Sequence, residues 1–399
     1  MTLNNKVLIF ESRFSAHSPE MIENIVQFLE TCERNKFGKI YLALNKDLLN
    51  HLNIIGVGNY FEIIEIPNFR GYEKGLFISL MNVIKEMIWI GRTAKKLGID
   101  RLIFLQIDRY FPFLFLLNTT VIDSISGIYL NPYSQLKLYK KDLNVKDKIR
   151  ILRKSIQIKL GFISNKVHTI FLWNDEKSVS FLNREFDTTI FSYLPDPINL
   201  NLLAEPIQVK KILAEFGIDE SKKILLSIGG IQQRKNLFRI IDAISQIKSD
   251  TTSNFVYLIV GIASDQELIK ELQKRIEINK TKFSIMLINR SLSKVEFESI
   301  VSCSKIVFTI YSDFFSSSGI VGNSAKYGKP IIGSNTGVLK EIIEKYNLGF
   351  CVDSNNTLDI KRGIENYLAH NRINSPFEKN FHFLESHSSV KFCENLLSN

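Results

Sequence analysis

The stretch KIVFTIYSDFFSSSGIVGNSAKYGKPIIGSNTGVLKEIIEKYNLGFCVD, from Lys305 to Asp353, decides the fold of this chain. It reads as an apolar strand, a Ser/Gly loop, a helix, a tight Gly328-Lys329-Pro330 turn, a short apolar strand, a second helix and a third strand. That is a β-α-β-α-β unit of a parallel sheet. The loop carries the chemistry. Ser316, Ser317, Ser318 and Gly319 stand between strand Ile306–Ile310 and the next helix, so several backbone N–H groups and a helix dipole converge there on one anion. Serines also cap helices without binding anything, and the loop by itself leaves both readings open.

A second segment points the same way. From Lys223 the chain reads KILLSIGGIQQRKNLFRIIDAI, an apolar strand ending at Gly229 and Gly230, with Arg234 and Lys235 just before an amphipathic helix. Paired glycines let the backbone approach a ligand closely, and a basic pair at the end of a parallel strand suits a diphosphate. Cations at a helix N-terminus oppose its dipole, so structure alone gives little reason to place them there.

These two segments together resemble the donor-binding domain of the retaining GT-B glycosyltransferases of family four. The family's first motif is Gly-Arg followed further on by Lys-Gly. Gly229 and Lys235 match it, Gly230 stands at its arginine, and an arginine appears instead as Arg234. The second motif carries two glutamates ahead of a small-residue helix and Gly-Lys-Pro. Alignment on Gly328, Lys329 and Pro330 puts Phe315 at the first glutamate and Asn323 at the second, so both carboxylates are missing. An amide oxygen still accepts a hydrogen bond from a ribose hydroxyl, which lets Asn323 keep that role; Phe315 has no such capacity. The Ser-Ser-Gly wording resembles a bacterial subgroup with that loop.

The resemblance implies an α/β chain of GT-B architecture, two Rossmann-like parallel-sheet domains facing a cleft. It also implies sugar transfer with retention from a nucleoside diphosphate sugar, without a metal or other cofactor. Arg234 and Lys235 are then the catalytic candidates, neutralising the departing diphosphate. Donor-binding candidates are Gly229, Gly230, Ser317, Ser318, Gly319, Ile320 and Asn323, with Asn289 and Arg290 where the family places its nucleotide base. On the acceptor side, His17 follows the first strand in SRFSAHSPEM, with Ser18 and Pro19 read as N-cap and first helical residue. Asp108 and Arg109, at the end of another strand, are candidates of the same kind. The likeness is specific for residues 220 to 370 and only architectural before residue 200.

Length and composition agree. At 399 residues, and about 150 per domain, two or three domains are expected. Hydrophobic residues at 45% and charged residues at 23% suit a globular chain with ample core. Cys32, Cys303, Cys351 and Cys393 form no CxxC pair, which argues against a disulfide framework or a zinc site and makes the cytoplasm the default. The run Val7–Phe10 is too short for a signal peptide and reads as a first strand. The most apolar segment, residues 101–120, is broken by Asp108, Arg109 and Pro112 and reads as a strand and an apolar helix rather than a membrane span.

The net charge of +10 is concentrated between Lys137 and Lys166, where ten Lys/Arg face only Asp142 and Asp147. Val145, Ile149, Leu152, Ile156 and Leu160 recur there at helical spacing among lysines and arginines. One reading is an ordinary helix with its apolar stripe in the core and its cations in water. The other is a face on residues 137–166 that rests on anionic lipid or binds an anionic acceptor, peripheral on the inner side of a membrane. Nucleic acid is not expected, because no recognised nucleic-acid module is present.

Along the chain, strands at 6–10, 39–44, 102–107, 169–172 and 189–193 and helices at 19–31, 75–97 and 176–185 describe a first α/β domain, residues 1–200. Pro195, Pro197 and Pro206 mark a linker. Strands at 224–228, 255–260, 284–288, 306–310, 331–332 and 350–352 build a second domain, residues 201–370, and residues 371–399 are a tail expected to return to the first. The absence of GxGxxG, GxxxxGK[ST] and GxSxG sets aside a dinucleotide dehydrogenase, a P-loop nucleotidase and a nucleophile-elbow hydrolase. The leading reading is a retaining glycosyltransferase acting on a glycan or lipid-linked acceptor in bacterial surface polysaccharide synthesis. The alternatives are a degenerate GT-B protein that binds nucleotide or glycan, or supports a partner transferase, and a sugar-nucleotide epimerase.

Overall fold

Strands rich in apolar residues, such as Ile224–Ile228 and Phe255–Gly261, are buried on both faces, the mark of parallel sheets sandwiched between helices. The computed structural model describes residues 5–15, 17–32, 37–52, 61–69, 76–201, 203–248, 254–263, 265–369 and 377–398. It divides into two units, residues 1–197 with 389–399, and residues 198–388.

The first unit holds strands β1 (Lys6–Glu11), β2 (Lys39–Leu44), β3 (Phe61–Glu65), β4 (Arg101–Phe104), β5 (Ser124–Tyr129), β6 (Val167–Trp173) and β7 (Phe191–Leu194), in the order β3-β2-β1-β4-β5-β6-β7. The second holds β8 (Lys223–Ile228), β9 (Phe255–Gly261), β10 (Ser284–Asn289), β11 (Ser304–Thr309), β12 (Ile331–Ser334) and β13 (Gly349–Val352), in the order β10-β9-β8-β11-β12-β13. Every described pair of strands is parallel. Both sheets wind outward from their first strand and then reverse, at β1/β4 and at β8/β11. In such a sheet the helices on either side of the reversal diverge and leave a crevice at the carboxyl ends of the two strands.

Several elements differ from the sequence reading. β3 and β5 are absent from it, as are the helices Lys46–Leu52 and Ser134–Tyr139. β3, FEIIE, is a half-exposed edge strand with two glutamates; β5, SISGIY, places Gly127 where a β-carbon would lie 2.9 Å from the Phe104 carbonyl oxygen. Strand β4 ends at Phe104 rather than Ile107, and the apolar segment after it, Phe111–Leu117, is 3₁₀ rather than α-helical. The first helix begins at Ser18, with His17 in the cap position, because the Ser18 hydroxyl bonds Ser15 and Gln106 instead of capping. The largest difference concerns the basic helix Val145–Gly161. Its packing face is Ile151, Ile158 and Gly161, while Val145, Ile149, Leu152, Ile156 and Leu160 are exposed.

The boundary between units falls at 197/198 rather than 200/201, and the tail divides at 388/389. Helix Phe377–Ser386 lies in the second unit, where Phe383 is buried. Helix Ser389–Ser398 lies in the first, where Phe392, Cys393, Leu396 and Leu397 join the core around Met21, Ile25, Phe28 and Leu194. Arg101 adds a hydrogen bond to the Leu397 carbonyl at 2.9 Å. Phe392→Ala is therefore expected to destabilise the first unit by about 3–5 kcal/mol. Urea unfolding followed on the fluorescence of Trp89 and Trp173, both in that unit, should show an earlier transition.

Candidate functional site

The reversal at β8/β11 is where the two segments singled out in the sequence meet. Beyond β8 the chain turns through Gly229, whose φ of 88° is open to glycine at little cost, and Gly229 N–H donates to the Val260 carbonyl at 3.0 Å. It then runs through the 3₁₀ turn Gln233–Lys235 into helix Leu237–Ser245. Beyond β11 lies the loop to Ser318, followed by helix Gly319–Lys326. The Ser312 N–H donates to the Arg234 carbonyl at 2.8 Å and ties the two loops together.

Lys235 is the central feature. Its side chain folds back beneath the turn and donates to the Ile228 carbonyl, with 7% of the residue exposed. A β-carbon on Gly229 would lie 3.2 Å from the Lys235 Nζ and 3.9 Å from Ile320 Cδ1. Gly229 thus makes room for the ammonium, and the same point in space adjoins the start of helix Gly319–Lys326. No carboxylate pairs with Lys235 among the described residues. Burial, with the Arg234 charge adding to it, pushes its pKa down to about 7. A buried ammonium with three donors and a single carbonyl partner is poised for an anion.

Arg234 is exposed and likewise lacks a carboxylate partner among the described residues. Its Nε donates to Gln232 at 2.8 Å, and its guanidinium lies over the rings of Tyr311 and Phe314, 5.1 and 4.6 Å from their centroids. The Tyr311 N–H donates to Ser334 Oγ at 2.7 Å, and that hydroxyl donates to the Tyr311 carbonyl at 2.8 Å, so the platform is anchored to β12.

Ser318 occupies the cap position of helix Gly319–Lys326 but its hydroxyl makes no capping bond; it meets Tyr311 Oη at 3.4 Å. The N–H groups of Gly319 and Ile320 have no acceptor among the described residues, and a β-carbon at Gly319 would find nothing within 4 Å. Ser317 makes no hydrogen bond among the described residues. Gly230 is also open, with nothing nearer than 3.7 Å to a β-carbon. Two cations, a free helix N-terminus and a free hydroxyl therefore border one crevice.

The remaining expected residues fare differently. Asn323 donates to the Gly319 carbonyl at 3.0 Å, which leaves its Oδ1 available as an acceptor. Phe315 is held by its backbone: its carbonyl accepts from Val338 at 2.9 Å, and Gly337, at φ 73°, leaves room where a β-carbon would fall 2.7 Å from Phe315 Cα. Asn289 Oδ1 accepts from the Ala263 N–H at 3.0 Å. Arg290 is engaged by Glu215 and Glu296, each at 2.7 Å, and this holds the Glu296 carboxyl down at about 2. The Arg290 side chain is a surface brace in this arrangement.

In the first unit, Asp108 accepts from the Leu130 N–H at 3.2 Å and pairs with Lys154 at 3.6 Å, while Arg109 pairs with the buried Glu86 at 3.4 Å. Both lie in the turn between β4 and the 3₁₀ segment and brace it. The exposed His17 sets its ring edge-on to Trp173, with centroids 5.3 Å apart. A carboxyl absent from the sequence reading is Asp196, which follows β7 at the same end of the sheet. Burial, with the Glu20 charge adding, pushes its pKa up to about 8. It lies in the Pro195-Asp196-Pro197 segment, whose prolines read only as a linker.

Residues 208–381 match the family model described as glycosyl transferases group 1. That match lies in the second unit and spans less than half of the chain. No curated protein matches the chain in sequence. Among solved structures it is similar to HepE of Anabaena in complex with UDP and glucose, at 13% identity over 99% of this chain and 98% of that one, with a TM-score of 0.68. It is also similar to WaaG, a glycosyltransferase involved in lipopolysaccharide biosynthesis, at 12% identity over 98% of both chains and a TM-score of 0.65. Sucrose-phosphate synthase from Thermosynechococcus elongatus aligns at 11% identity over 99% and 96%, with a TM-score of 0.70. At such identities the likeness is one of fold, and that fold is GT-B.

In the second unit, Gly229→Ala forces a β-carbon into a left-handed conformation and against the Lys235 ammonium. We expect a loss of about 1–2 kcal/mol, read as a lower denaturant midpoint. Gly319→Ala, with open space around it, should stay within about 0.5 kcal/mol of wild type.

Proposed function

We propose that this chain is a retaining glycosyltransferase that moves a sugar from a nucleoside diphosphate sugar to a glycan or lipid-linked acceptor, in bacterial surface polysaccharide synthesis. The observation that carries the reading is the buried, carboxylate-free Lys235 beside the open N-terminus of helix Gly319–Lys326. HepE with UDP and glucose, and WaaG with its lipopolysaccharide role, support the donor and acceptor classes by analogy of fold.

In this proposal the donor's diphosphate lies against Lys235, Arg234 and the N–H groups of Gly319 and Ile320. As the bond from the sugar to the diphosphate oxygen breaks, negative charge grows on the leaving oxygen, and these fixed donors stabilise it without reorganising. No carboxylate of the chain stands at the two loop positions where relatives carry glutamates. Leaving-group stabilisation accordingly falls on the cations and the backbone, and Asn323 Oδ1 and Ser317 Oγ are the free groups for sugar and ribose hydroxyls. The proposed reaction needs no cofactor beyond the sugar nucleotide.

Phe315 in place of a carboxylate favours a second reading, a GT-B protein that binds nucleotide or glycan without catalysis. Acceptor dependence separates the two. A transferase releases nucleoside diphosphate faster when acceptor is added and keeps the donor's anomeric configuration in the product, visible by NMR. A binder does neither.

Removing one charged donor from the leaving group costs about 1.5–3 kcal/mol, so Arg234→Ala and Lys235→Ala should each lower turnover by roughly tenfold to a few hundredfold with the fold intact. Wild-type turnover in either folded variant would refute the assignment.

Lys235 also sets a pH dependence. A diphosphate favours the charged ammonium and raises its pKa from about 7, so binding takes up a proton above pH 7. UDP affinity should therefore fall between pH 7 and 9, by at most about tenfold per pH unit, and calorimetry in buffers of different ionisation enthalpy should register the proton. Lys235→Met should flatten the profile.

A further inference from the structure

The helix Val145–Gly161 is fastened to the first unit by one side only. Ile151, Ile158 and Gly161 are its buried residues, and a β-carbon at Gly161 would lie 3.0 Å from the Phe111 ring. Lys154 reaches from the same side to Asp108 and to the Asn131 carbonyl. At about 100° per residue, Val145, Ile149, Leu152, Ile156 and Leu160 fall on the opposite side, within an arc of roughly 80°. They are 71, 61, 62, 47 and 38% exposed. Ile163, just past the helix, is 59% exposed.

Cations border this stripe on both edges, Lys146 and Arg153 along one, Lys148 and Lys159 along the other. All four are exposed, and none makes an ion pair among the described residues. The capping box of Asn144 and Asp147 fixes the start of the helix, and Asp147 is occupied by Lys140 at 2.8 Å, so the nearest acid does not neutralise the row. An apolar ridge turned squarely away from the core costs solubility and contributes nothing to folding. Between two rows of unpaired cations it has the form of a helix that lies in a lipid interface, side chains in the acyl boundary and ammonium groups among phosphates.

We propose that this helix docks the first unit onto the surface of an anionic phospholipid bilayer, with Val145, Ile149, Leu152 and Ile156 inserted and the flanking cations meeting headgroup phosphates. The proposal stands apart from the transferase reading, since it uses no residue of the second unit. A second copy of the chain fits this face poorly, because a two-fold contact sets the same cations against one another. A nucleic acid would engage the cations and leave the stripe in water. Among the described residues no helix is long and apolar enough to cross a membrane.

The test is flotation of the full-length protein with phosphatidylcholine vesicles, with and without phosphatidylglycerol. The protein should float with the anionic vesicles only, and less so as salt is raised. The pair Leu152→Ser with Ile156→Ser, and separately the pair Lys148→Glu with Arg153→Glu, should each weaken binding by at least about tenfold. Because these side chains are exposed, the melting temperature should not move. No flotation with anionic vesicles would overturn the proposal, as would flotation unchanged in both variants. A lipid-free dimer that the Leu152/Ile156 variant dissolves would assign the face to self-association instead, and binding to RNA that survives this variant without vesicle binding would assign it to nucleic acid.

Discussion

A parallel sheet covered by helices on both faces has only its strand ends left for a ligand, and the rest of this structure follows from that constraint. Burial removes the faces of β8, β9 and β11 from contact with anything but side chains, so chemistry concentrates where the winding reverses. There the chain places two loops with complementary duties. The β8 loop supplies charge through Arg234 and Lys235, and the β11 loop supplies free N–H groups and a hydroxyl. The Ser312 to Arg234 backbone bond makes one rigid rim of them. Serving as that rim explains the paired glycines better than flexibility does, since Gly229 is where the lysine ammonium passes.

How far this was legible in the sequence depended on whether a signal was local. β8 to β13 are predominantly apolar runs closed by Gly, Pro or polar residues, and these are readable to within a few positions. β5 hides because Ser126 and Gly127 weaken its pattern, and β3 because an edge strand keeps its glutamates. Periodicity found the helix at 145–161 but could not say which side was inward. Three residues, Ile151, Ile158 and Gly161, provide enough packing against the 3₁₀ segment to hold it the other way round.

The same division runs through the site. Lys235 could be picked out from its spacing, whereas its burial depends on a carbonyl at the end of β8 and on no acid being nearby in space. Arg290 is a base-binding candidate in the sequence; folding brings it to 2.7 Å from both Glu296, six residues on, and the distant Glu215. Asp108 and Arg109 likewise found Lys154 and Glu86. Asp196 is hidden in the sequence because prolines on either side dominate the reading of a short segment, and only tertiary burial makes its carboxyl unusual.

Helix Ser389–Ser398 has a consequence for how the molecule is made. The second unit is one continuous stretch, complete once residue 388 has been synthesised, whereas the core of the first lacks Phe392, Leu396 and Leu397 until residues beyond that point have followed. Domains fold as units, in general from the N-terminus as the ribosome delivers them. Here that order is turned about: helix Ser18–Thr31 stays unclosed on one side until a segment synthesised after the whole second unit reaches it.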